Sequence, residues 1–144
     1  MYELMQKKST GSRIIFGIII FAFISLVLKI ALNKPPATLN DDLIAAANEI
    51  NSHAPIILDS TTRFDRVDAL SGNIFQYHYT LLTLDKTQVD TTNLKTSGRQ
   101  YLIEQTKQDP KSSIFRDNGI VIEAKYFDKK GDYITTLSVS PGEY

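Results

Sequence analysis

Two histidines, His53 and His78, are the side chains in this chain best suited to moving a proton near neutral pH, so chemistry is sought around them first. His78 falls in the run Ile74–Leu84, with Thr80 two residues on and Asp68 on the preceding run. A nucleophile, base and orienting acid could in principle be drawn from those three types. Threonine and aspartate are common here, however, and chance supplies such neighbours readily. His53 precedes Ala54-Pro55 at the end of a helical pattern, where the helix dipole favours a cation. Structural or surface roles are therefore the preferred reading of both histidines. A small hydrolase using His78 or His53 with an Asp or Thr is the alternative.

Other chemistries find less footing. The histidines stand 25 residues apart without an H-x-x-x-H context, and the chain has no cysteine, so no metal site is expected. The turn Asp128-Lys129-Lys130-Gly131-Asp132 lacks the alternating ligands and closing glutamate of a calcium loop and reads as a hairpin turn. In a regular strand Asp65 and Asp68 point to opposite faces and cannot share a reacting group. No phosphate-cradling glycine motif occurs, and no cofactor is expected. Binding remains, and the candidate contacts are Arg63, Arg66, Gln76, His78 and Thr80.

The elements that would place these residues follow from periodicity. Leu39, Leu43, Ala46 or Ala47, and Ile50 form one apolar stripe, so a helix is expected over about 40–52, capped by Thr38 or Asn40 and stopped by Pro55. Residues 56–70 and 74–84 have strand character around Ser71-Gly72-Asn73, the strongest hairpin signal in the chain. In the second run Phe75, Tyr77, Tyr79 and Leu81 share one face, which should meet helices, while Gln76, His78 and Thr80 share the other. The i, i+2 pairs Arg63/Asp65 and Arg66/Asp68 read as a solvated face. A second helix over 92–108 follows, with Leu94, Tyr101 and Leu102 inward and Gly98 permitting close approach to the sheet; strands 120–127 and 133–139 close the chain. The expected fold is α+β: an α-β-β-α-β-β domain with helices on one face of a four-stranded antiparallel sheet, preceded by a transmembrane helix.

That helix is Ile14–Leu32, nineteen residues whose single charge is Lys29. At 1.5 Å rise per residue it spans about 28 Å, close to a bilayer's hydrocarbon core. It is longer than the apolar core of a cleaved signal, and Asn33-Lys34-Pro35-Pro36 offers no good cleavage site, so a signal-anchor is preferred. Lys7, Lys8 and Arg13 precede it, which places the N-terminus in the cytoplasm. The expected organisation is a cytoplasmic segment 1–13, a transmembrane helix 14–32 in the bacterial inner membrane, a linker 33–38 and an extracytoplasmic domain 39–144. A pilin-like subunit is the weaker reading, because Pro35-Pro36 interrupts a continuous stalk.

Charge narrows the partners. The chain is neutral by count, but its basic excess sits before residue 35 and the remainder is net acidic. An acidic domain lacks the basic face nucleic acid requires, so no nucleic-acid partner is expected; the bilayer and another envelope protein are. The stretches Thr62–Asp65, Tyr77–Leu81, Tyr126–Gly131 and Val139–Pro141 (T-R-x-D, Y-x-Y-T-L, Y-x-D-x-x-G and V-x-P) give about residues 45–141 a resemblance to a diffuse set of small bacterial envelope proteins. The resemblance implies an exported, membrane-tethered domain and no particular activity. The function expected is a non-enzymatic, membrane-anchored domain that binds or scaffolds other envelope proteins, in secretion, a pilus, another surface apparatus or phage exclusion.

Overall fold

The computed structural model describes residues 38–144. The expected cytoplasmic segment and membrane span therefore lie outside the described residues, and among those no helix is long and apolar enough to cross a membrane. Helix α1 runs Leu39–Ser52. Thr38 caps it reciprocally: its hydroxyl accepts from the Asp41 N–H, and Asp41 accepts from the Thr38 N–H. Leu43, Ala46, Ala47 and Ile50 are its buried stripe, as the spacing predicts.

Five strands follow: β1 Ile56–Ile57, β2 Thr62–Leu70, β3 Ile74–Leu81, β4 Val121–Phe127 and β5 Tyr133–Val139. They pair in chain order, antiparallel except for β3 and β4, which are parallel. The four-stranded antiparallel sheet expected from the sequence is thus corrected on two points. The run 56–70 is broken at 58–61, where Asp59 accepts from the backbone and hydroxyl of Thr61, so one expected strand becomes β1 and β2. The β3–β4 connection, residues 82–120, carries helices across the sheet and returns the chain in the same direction, the usual route to a parallel pair. Hydrophobic alternation says which face a strand buries and nothing about its direction.

That crossover contains one continuous helical stretch: an α turn Thr91–Asn93, a π turn Leu94–Gly98 and helix α2, Arg99–Gln108. Asp90 caps it by accepting from the Asn93 N–H. A Cβ at Gly98 would lie 3.0 Å from Leu137 Cδ1, so glycine there permits the close helix–sheet approach expected of it. Leu102 and Ile103 are buried. A short helix α3, Ser113–Asn118, ends at Gly119, whose φ of 60° is costly for other residues.

One core lies between the helices and one face of the sheet. Phe64, Val67, Phe75, Tyr77, Tyr79, Ile122, Ala124, Tyr126, Leu137 and Val139 face it, with Phe115 from α3 against Phe75 at 6.1 Å. Its aromatic rings continue from Phe75 through Tyr77 and Tyr79 to Tyr126 at centroid spacings of 5.3, 6.4 and 5.4 Å. Asp128, at the start of the β4–β5 turn, takes N–H bonds from Lys86, Lys130 and Asp132, which agrees with the hairpin reading of that segment.

Candidate functional site

The face of the sheet turned away from the core carries the residues expected to make contacts. Arg63, Arg66, Gln76, His78 and Thr80 all lie on it, brought together by β2 and β3. His53 does not join them. It sits exposed at the end of α1, its Nδ1 3.1 Å from the Glu49 carbonyl and 3.0 Å from Ser52 Oγ.

A β-bulge sets the geometry. Register slips between Phe64 and Arg66, so Asp65 is an extra residue in β2. Phe64 and Val67 both point into the core although they are three positions apart. Asp65 and Asp68 then reach the same outer face, where Asp65 Oδ2 accepts from the Thr80 hydroxyl at 2.6 Å and Asp68 Oδ2 lies 2.9 Å from His78 Nε2. The expectation that these carboxylates face opposite sides is corrected. Odd spacing between two inward-facing apolar residues of one strand is the signal that could have revealed the bulge.

Two networks result. In the first, Arg63 donates to Asp65, which holds Thr80. In the second, Arg66 grips Asp68 through Nε and Nη2, each at 3.1 Å at its nearest, and Asp68 approaches His78. The Nε2–Asp68 approach is a close electrostatic contact that forms no regular hydrogen bond. The far side of the His78 ring stacks on Phe127, with centroids 5.9 Å apart and planes at 10°. Lys125 Nζ lies 5.6 Å from the Phe127 centroid and 5.8 Å from that of Tyr133. Gln76 donates to Glu123 across β3 and β4.

His78 is the unexpected member, only 4 % exposed on a face expected to be solvated. Burial lowers its pKa below the ordinary histidine value, the Arg66 and Lys125 charges push the same way, and Asp68 opposes them. The imidazole is therefore neutral at pH 7. The Thr80 hydroxyl gives its proton to Asp65 rather than to His78, so Thr80, His78 and Asp68 do not form a nucleophilic relay. The arrangement orders charge and aromatic surface on this face of the sheet. Sequence reasoning missed Lys125, Phe127 and Tyr133 as members of this face, and it paired Asp65 with Arg63 and Asp68 with Arg66 without bringing both carboxylates to one side. Lys125 and Phe127 alternate with the inward Ala124 and Tyr126, so an aromatic on the polar side of β4 was the available signal.

The margins of the sheet, along β5 and along the part of β2 that the two-residue β1 does not cover, are engaged differently. On β2, Asn51 of α1 takes the Val67 N–H with Oδ1 and gives Nδ2 to the Val67 carbonyl, both at 2.8 Å. On β5, Arg99 of α2 donates Nε to the Ser138 carbonyl at 3.0 Å and pairs with Glu143. Helix side chains thus occupy backbone groups that another strand would need.

No protein-family model and no curated protein matches the chain. Its fold is shared by two solved structures. A candidate secreted protein from Pseudomonas aeruginosa aligns over 75 % of this chain and 98 % of its own, with TM-score 0.60 and 14 % identity. The pilotin of the Vibrio vulnificus type 2 secretion system aligns over 73 % and 90 %, with TM-score 0.56 and 17 % identity.

Proposed function

We propose that this domain is a non-catalytic binding module of the bacterial envelope, working outside the cytoplasm, that holds a protein of a secretion or other surface apparatus on the outer face of its sheet. The observation that carries this reading is the outer face itself. Its polar groups are ordered before any partner arrives, through the Arg63–Asp65–Thr80 and Arg66–Asp68–His78 networks, and Tyr133, Leu70 and Ile57 stand exposed around them. Ordered side chains lose less entropy on association, and exposed apolar groups supply the drive. Edge backbone groups taken by Asn51 and Arg99 favour the face over strand addition. The shared fold with a secretion-system pilotin makes a secretion partner the first to look for.

The test is affinity isolation from cross-linked native membranes with the full-length chain. A variant carrying Tyr133→Ala and Leu70→Ala is run beside Ile44→Ala, which alters an exposed residue of α1. An envelope protein captured by wild type and Ile44→Ala but lost from the outer-face variant is the expected result. Equal capture by all three, or loss only with Ile44→Ala, would remove the outer face from the proposal.

A further inference from the structure

Three basic residues occupy one cross-strand row of the outer face: Arg66 pairs in register with His78, and His78 with Lys125. Adjacent strands lie about 4.8 Å apart, so the row is roughly 10 Å long. The charged groups facing His78 are Arg66 and Asp68 from β2 and Lys125 from β4. Arg63 and Asp65 pair with each other, and Glu123 takes a hydrogen bond from Gln76. Asp68 is the carboxylate that balances the row. Among the described residues Lys125 reaches no acid within ion-pair distance; its ammonium lies by the Phe127 and Tyr133 rings. The Arg66 side chain is 58 % exposed, and Asp68 engages only two of its three nitrogens.

Resting on the binding reading above, we infer that the Arg66–His78–Lys125 row receives an acidic segment of the partner protein, a peptide whose carboxylates meet Arg66 and Lys125 while neighbouring apolar side chains lie against Phe127 and Tyr133. Within the row Arg66 and Lys125 outnumber Asp68, and the Glu123 carboxylate on the same face is drawn toward β3 by Gln76, so charge complementarity at the row itself selects an anion. The aromatic pair beside it selects an anion attached to apolar stems. His78 lies beneath the contact and adds a charge when it takes up a proton, so the row binds anions more tightly at a pH below the lowered histidine pKa than at pH 7.5.

The test follows backbone amide resonances of the full-length chain against three probes. These are a capped six-residue peptide alternating Glu and Leu, its Gln–Leu counterpart, and dihexanoylphosphatidylglycerol, a soluble anionic lipid. The Glu peptide should shift residues 66, 78 and 125, more strongly at the lower pH. Arg66→Gln or Lys125→Gln should each weaken it roughly tenfold, the size of one charge-assisted contact. His78→Gln should remove the pH dependence. Lys125→Glu should admit a Lys–Leu peptide in its place, a gain that mere loss of folding cannot mimic. Equal binding of the Gln peptide, a response to the lipid alone, or no shift with any probe would overturn the inference. If Arg66→Gln and Lys125→Gln still capture the cross-linked partner that the Tyr133/Leu70 variant loses, the binding face stands and the acidic segment falls.

Discussion

Strand β3 presents two faces that are almost equally buried and built on different principles. Toward the helices, Phe75, Tyr77 and Tyr79 are at most 1 % exposed and packed ring against ring. On the other side His78 and Thr80 are 4 % and 7 % exposed, held by Asp68, Asp65 and the Phe127 ring. The first face gains its stability from apolar area removed from water, a large term. The second exchanges protein–water hydrogen bonds for protein–protein ones, a term that nearly cancels. A face that contributes little to folding is free to vary without unfolding the domain.

The comparison breaks most easily from the helix side. Phe75→Ala should cost about 3–5 kcal/mol, since it removes a fully buried ring packed on Tyr77 and Phe115, and chemical unfolding would measure it. An intermediate effect separates the faces further. The Tyr77 hydroxyl is buried without a hydrogen-bond partner among the described residues, and burial drives its pKa far above the ordinary tyrosine value. Tyr77→Phe should therefore leave stability unchanged or raise it by up to about 1 kcal/mol. A clear loss would mean that the hydroxyl has a partner and that the inner face is less apolar than it looks. On the outer face, Arg66→Ala should change stability by no more than about 0.5 kcal/mol, because its ion pair with Asp68 is exposed. A larger loss would make the outer network structural.

The subtlest effect is a slope. His78 has a folded pKa depressed below its unfolded value, so the unfolded chain takes up that proton first. Stability should be flat above the ordinary histidine pKa and fall as pH drops through it toward the folded value. Urea midpoints at pH 7.5 and 5.5, compared between wild type and His78→Gln, would read it, and an identical slope in both proteins would place the neutral imidazole in doubt.

What was legible in the sequence is what local pattern determines. The Thr38 cap, the stripe of α1, the two faces of β3, and the close approach at Gly98 each depend on residues within a few positions or on one alternation. Strand direction was not legible, because the parallel β3–β4 pair depends on where the helices of 82–120 pass. The outer site was half legible. Gln76, His78 and Thr80 were placed together by alternation, whereas the company of Asp65 and Asp68 needed the bulge, and that of Lys125 and Phe127 needed the strand pairing. Asn51 and Arg99 gave no local sign of their tasks, since each bonds to backbone far along the chain.

Those two residues bear on how many copies can gather. A sheet that grows by strand addition has no natural stopping point, and its product is a fibre of indefinite length. Here Asn51 fills the place of a neighbour at Val67, on the part of β2 that the short β1 does not reach, and Arg99 takes the Ser138 carbonyl of β5, so elongation is opposed at those two places. Association through a single face uses that face up once it is formed. Complexes built this way have a fixed, countable stoichiometry, even where many copies crowd together.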